Sequence, residues 1–235
     1  MNFFKNIKFF FHRISRGIFY TYFHYDDYKI FDKTANKAEY KTWKWINSNL
    51  GFFKKSENEK YTILEVGCVN GRNLIMSNKK MVNYIGLDLN KKAIIAGNKF
   101  IKTNKISNIK LYQGSISTFN FYNINLIVNI SLCIYLNPKE LLIYFNKIIN
   151  SNAEYAIFVD IFSKGKTLQD YYYYHSLNQF TVFKNKYYLM QKKFIYQPWV
   201  TIDCDTKFII IYKKNLKNKI NNFLRLQKFD YLESG

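Results

Sequence analysis

The stretch Tyr61-Thr-Ile-Leu-Glu65-Val-Gly67-Cys-Val-Asn-Gly71-Arg-Asn-Leu74 decides how the rest of this chain is read. An apolar run of strand character ends in a turn with two glycines and passes into a segment of helical spacing. Glycine lets the backbone bend sharply and approach a ligand, and the first turn of the helix that follows leaves N–H groups unpaired. The segment therefore predicts a ligand crevice at the carboxyl end of a strand. Nucleotide-binding proteins of several kinds share a strand, glycine turn and helix, so this feature alone selects a fold class and not an activity.

Downstream, short apolar runs at Tyr84 to Leu89, Ile109 to Tyr112, Asn125 to Ile130 and Tyr155 to Ile161 alternate with helical segments. That alternation predicts a parallel sheet covered on both faces. Asn90 is placed to cap the helix that carries Ala93, Ile94 and Phe100. Asn137, Pro138 and Glu140 form a start of capping-box type for a helix that buries Leu141, Phe145, Ile148 and Ile149. Tyr187 to Val200 and Lys207 to Tyr212 read as two further strands, joined by a turn at Thr201 to Thr206, and predict an antiparallel hairpin at the sheet edge.

Upstream, Thr34 to Leu50 is read as a helix with Trp43, Ile46 and Leu50 on one side, stopped by Gly51 and followed by a charged loop over Lys54 to Lys60. Residues 3 to 19 place Phe3, Ile7, Phe10, Ile14 and Ile18 at helical spacing, with Lys5, Lys8, Arg13 and Arg16 mostly opposite. Such a basic amphipathic helix suits a lid over a substrate cleft, the favoured reading, or peripheral membrane contact through residues 1–20. The chain divides into N-terminal helices over 1–52, a main domain over 53–214 and a basic tail over 215–235.

A chain of 235 residues, 48% hydrophobic and 22% charged, has the makings of one globular domain and not of a disordered protein. The net charge of +20 creates a field that favours polyanions. Lys, Asn, Ile, Tyr and Phe, the residues of AT-rich codons, are abundant together, so part of the charge reflects codon composition and a nucleic-acid partner is not favoured. Cys68, Cys133 and Cys204 have no paired spacing, which leads to the expectation of a reducing, cytoplasmic setting. No apolar run reaches the ~20 residues that span a bilayer, and no cluster has metal-ligand spacing.

Position by position, the opening stretch resembles the first motif of class I S-adenosylmethionine-dependent methyltransferases: an acidic residue, then Gly, a small residue, Gly, any residue and Gly. Glu65, Gly67, Cys68 and Gly71 match it, with Asn70 in the same turn, while Val69 stands where the family usually has Gly. The resemblance spans about Glu59 to Ile161. It implies a Rossmann-like, doubly wound α/β fold and S-adenosylmethionine as cofactor. By the same resemblance Asp88, at the end of the second strand, holds the ribose and Leu89 packs on the adenine. Ser115 and Ile116 in Gln113-Gly-Ser-Ile flank the adenine, with Ser115 in place of the family's Asp. Asn129, in Asn129-Ile-Ser-Leu132, lies at the position that faces the methyl donor.

Methyl transfer at a sulfonium carbon is chiefly a matter of positioning, and a base is needed only where the acceptor is protonated. His175 is the candidate base, since His titrates near neutrality, and Asp160, at the end of the fifth strand, is the second candidate catalytic group. The favoured reading is O- or N-methylation of a small molecule or saccharide, in a pocket formed by the N-terminal helices and the C-terminal aromatic segment. The rivals are an RNA methyltransferase, motivated by the charge, and a non-catalytic chain of the same fold, motivated by Val69 and Ser115. A nicotinamide-dependent enzyme is disfavoured because the final Gly spacing of such sites is absent.

Overall fold

The structure, a computed structural model, describes residues 37–53, 60–163, 173, 175–194, 204–213 and 215. The helix expected over residues 3 to 19 and the basic tail after 215 lie outside the described residues. Among the described residues, no helix is long and apolar enough to cross a membrane.

The elements run α1 (Lys37–Ser48), α2 (Leu50–Phe53), β1 (Tyr61–Val66), α3 (Arg72–Met76), β2 (Val82–Asp88), α4 (Lys91–Thr103), β3 (Ile109–Gln113), β4 (Leu126–Ile130), α5 (Pro138–Asn150), β5 (Tyr155–Ser163), β6 (Tyr187–Phe194) and β7 (Cys204–Lys213). The strands form one sheet in the order β3-β2-β1-β4-β5-β7-β6. β1 to β5 are parallel, and β7 runs antiparallel to both β5 and β6. This is the mostly parallel α/β sheet with an antiparallel edge hairpin that the alternating pattern predicts.

Side chains of a strand alternate between its two faces, and both faces of this sheet are covered. In β1, Tyr61 and Ile63 join the apolar cluster that includes Trp43 and Tyr84, while Leu64 and Val66 join the one that includes Phe145 and Phe158. β4, Leu-Ile-Val-Asn-Ile, is buried at all five positions. Asn90 caps α4 by accepting the Ala93 N–H at 3.0 Å. Asn137 and Glu140 complete a capping box on α5, with Pro138 in its first turn.

Several boundaries differ from the sequence expectation. Gly51 does not stop the first helix. α1 ends at Ser48, and the chain resumes as α2 through Gly51, because buried Asn49 ties its side chain to the Trp45 carbonyl at 2.7 Å and its own carbonyl accepts the Phe53 N–H. The turn delivers Phe53 edge-on against Trp45 and Tyr155. β7 begins at Cys204 and takes up part of the expected Thr201 to Thr206 turn, since it has ladder partners on both sides, with Ser163 opposite Cys204. Ile149 is only half-buried on α5, where Tyr144 takes the buried place. A 3-10 segment, Leu177–Phe183, inserts Phe180 and Phe183 against Phe145, each at 4.8 Å between ring centroids.

Candidate functional site

From β1 the sheet grows one way through β2 to β3, and from β4 it grows the other way through β5. The crevice for a ligand in such a sheet opens at the carboxyl ends of the strands where the order reverses, here β1 and β4. The turn after β1 enters this crevice with three left-handed residues, Gly67 (φ 78°), Val69 (φ 58°) and Gly71 (φ 75°). Gly67 and Cys68 both donate to the Leu87 carbonyl, at 2.8 and 3.2 Å, which ties the turn to β2. Gly71, through its positive φ, and Gly97, through a backbone contact, are positions where a side chain would not fit. A Cβ on Gly71 would lie 2.7 Å from Leu111 Cδ2, and one on Gly97 in α4 would lie 2.2 Å from the Asn70 carbonyl oxygen.

Two carboxylates hold this frame. Glu65 Oε1 accepts from Trp43 Nε1 at 3.2 Å and from Asn73 Nδ2 at 2.8 Å, joining β1 to α1 and α3. Asp88 accepts the Val69 N–H on Oδ2 and the Asn90 N–H on Oδ1, both at 2.8 Å. Burial lifts the Asp88 carboxyl above its ordinary pKa, and the N–H groups of Asn90, Val69 and Leu89 pull it back. Three N–H donors on a carboxylate with four lone pairs leave it accepting capacity for a ligand hydroxyl. Leu89, next in sequence, is 61% exposed, an apolar surface beside a carboxylate at the mouth of the crevice.

The other residues expected at the cofactor are placed as follows. Cys68 is buried with its sulfur against Gly86. Asn70 is buried, and its Oδ1 accepts the Arg72 N–H at 3.2 Å. Ser115, half-buried, heads a turn in which its Oγ accepts the Ser117 N–H and lies 2.9 Å from Ser117 Oγ, while Gly114 donates to the Asp88 carbonyl. Ile116 packs against the cluster containing Leu87 and Phe121.

Asn129 is fully buried in β4. Its Nδ2 reaches Asp160 Oδ2 at 3.2 Å and Cys133 Sγ at 3.6 Å, while its Oδ1 lacks a protein partner among the described residues. Asp160 lies on the same face of the neighbouring strand, 1% exposed, and accepts the Cys133 and Ile161 N–H groups at 2.6 and 3.0 Å. Burial raises its pKa to about 6 against those hydrogen bonds. His175, also buried, places Nε2 3.0 Å from the Cys133 carbonyl and 2.8 Å from that of Leu136. Both partners are acceptors, so Nε2 carries the hydrogen, and burial lowers the pKa of the ring. Asp160 and His175 thus grip the same peptide segment from two sides, and Tyr173 N–H adds a bond to the Ile134 carbonyl at 2.8 Å. Upstream of that segment stands Ser131, like Val69 a non-glycine residue with positive φ (53°), and Leu132, whose side chain packs on Gly67.

Asn73 and Ser131 carry no signal in the sequence, and Trp43 reads there only as part of a helix's apolar side. Glu65 and Trp43 are 22 positions apart, and no local pattern marks such a pair. A groove of about 420 Å³ between α1 and α3 shares Trp43 and Asn73 with the Glu65 cluster and has Lys44 and Lys79 in its lining.

Residues 57–195 match the family model described as a methyltransferase domain. No curated protein sequence matches the chain. Among solved structures, magnesium protoporphyrin IX methyltransferase from Synechocystis PCC 6803 with bound SAH superposes with a TM-score of 0.63 at 10% identity, over 86% of this chain and 99% of that one. Geranyl diphosphate C-methyltransferase from Streptomyces coelicolor A3(2) gives 0.58 at 11% identity, over 86% and 98%. The PH0226 protein from Pyrococcus horikoshii OT3 gives 0.53 at 14%, over 83% and 95%. At these identities the likeness is one of fold.

Proposed function

The chain belongs to the methyltransferase domain family, and from that premise we propose that it transfers the methyl group of S-adenosylmethionine to an oxygen or nitrogen of a small molecule or saccharide. The observation that carries the reading is the junction of Asp88 with the β1 turn: a carboxylate with accepting capacity to spare, bonded to the turn at 2.8 Å and flanked by exposed Leu89. These residues fit the cofactor. The carboxylate suits a ribose hydroxyl, the Leu89 face suits a flat heteroaromatic ring, and the turn brings bare backbone at Gly67 to the crevice.

When bound, the cofactor supplies a methyl carbon on a cationic sulfur, open to attack by an acceptor lone pair. The chain's own part is to orient. Glu65 braces the turn through Trp43 and Asn73, Asp88 fixes the turn and the ribose, and Ser115 and Ile116 border the adenine. Asn129, Asp160 and His175 support the segment after β4 at the methyl-donor end. We assign Asp160 and His175 to positioning that segment, because Asp160 Oδ2 and His175 Nε2 both bond its backbone.

Incubating the protein with methyl-labelled S-adenosylmethionine and a size-fractionated cell extract tests the acceptor class. Label is expected in the low-mass fraction and strongly reduced with Asp88→Ala at sub-saturating cofactor. Label confined to RNA contradicts this reading.

A further inference from the structure

The turn between β1 and α3 offers one side chain to the crevice. Cys68, Asn70 and Gly71 are buried, while Gly67 and Val69 are half-buried. Gly67 has no side chain, Cys68 turns its sulfur toward Gly86, and Asn70 turns its carboxamide back onto the Arg72 N–H. Val69 is left as the side chain through which this turn meets a ligand. Its φ of 58° lies in the left-handed region, where a β-branched residue is a rare outlier. Its N–H is held by the carboxylate proposed to hold the ribose, so its isopropyl group stands next to the ribose position and not at a remote edge of the crevice.

We propose that Val69 sets the fit of the cofactor: its isopropyl group stands between the turn backbone and the ribose, so the ligand rests on methyl groups and is kept from the peptide plane. The assignment rests on the S-adenosylmethionine reading of the same crevice. It separates two effects of one residue. The left-handed conformation is held by the Asp88 bond with or without ligand, so its strain bears on fold stability and cancels from binding. The part of the side chain that the protein leaves exposed is what a ligand meets, and it bears on affinity.

A substitution series resolves them. Val69→Ala removes the two methyl groups and keeps Cβ, hence most of the backbone strain. Val69→Gly removes both, and Val69→Leu enlarges the side chain. Calorimetric titration with S-adenosylhomocysteine is expected to show Ala and Gly binding about fivefold or more tighter than wild type, which is about 1 kcal/mol, and Leu binding more weakly. Melting temperature in the absence of ligand is expected to rise by a few degrees with Gly and to stay level or fall with Ala. Affinities within twofold across the series overturn the proposal, as does weaker binding by Ala and Gly. If the wild type and every variant fold but none binds, the cofactor reading itself falls, an outcome distinct from equal affinities.

Discussion

Asp88 and Val69 are joined side chain to backbone: Oδ2 of the carboxylate accepts the Val69 N–H at 2.8 Å and so fixes the β1 turn to the end of β2. Removing the carboxylate takes away a charged acceptor for the turn and, in the proposed complex, for the ribose. Asp88→Ala is expected to weaken S-adenosylhomocysteine binding by about 10- to 100-fold, the ~1.5–3 kcal/mol of a charged hydrogen-bond acceptor. Calorimetry checks it, and an unchanged affinity would remove Asp88 from the site.

Asp160 gives stability a pH dependence of known sign. Its carboxyl is raised from 3.8 to about 6 in the fold, so folding favours the neutral form. The stabilisation is fully present below the unfolded pKa and is lost as pH rises through about 6, on the order of 3 kcal/mol across that window. Asp160→Asn does not titrate. Whatever constant offset its altered hydrogen bonds bring, its melting temperature minus that of wild type should grow more positive from pH 4 to pH 7. A difference that stays flat over this range contradicts the burial account.

Glycine in a helix interior is ordinarily worth replacing, since Ala gains about 1 kcal/mol there. Gly97→Ala should do the reverse. The new Cβ meets the Asn70 carbonyl oxygen, a backbone atom that cannot rotate away, and the expected loss is about 1–3 kcal/mol for overpacking, with weaker S-adenosylhomocysteine binding as the turn shifts. Gly51→Ala, exposed and with nothing near its would-be Cβ, is expected to be neutral or mildly stabilising. Thermal melts of the two variants compare them directly, and similar effects at both sites would contradict the packing at Asn70.

The frame of the site was legible because short-range rules govern it. Two glycines mark the turn after β1, Asn90 marks the start of α4, and Asn137, Pro138 and Glu140 mark the start of α5. What escaped the sequence is tertiary. No local pattern pairs Glu65 with Trp43. Asn129 and Asp160 read in sequence as polar residues at strand ends facing a ligand, yet β5 continues past Asp160 to Ser163, and adjacent parallel strands bring the two together in a cluster with Cys133. His175 reads as a candidate base in sequence because its partners, the carbonyls of Cys133 and Leu136, are backbone atoms some forty residues away. The 3-10 segment Leu177–Phe183 has too little periodicity to be seen before its Phe180 and Phe183 are placed in the core.

The net charge of +20 yields a separate expectation. Binding of the protein to RNA should be weak and non-specific and should fall steeply with salt as phosphate counterions are released. Filter binding across a salt series measures this. Tight, structure-selective binding at physiological salt would favour RNA as the methyl acceptor.

The central claim is that the crevice between β1 and β4 holds the methyl donor, and titration of the purified chain with S-adenosylhomocysteine tests it most directly. The account predicts saturable one-to-one binding in the micromolar range, about −8 kcal/mol, with a matching rise in melting temperature. Absence of both heat and thermal shift at millimolar ligand, in a protein that melts cooperatively, would contradict it.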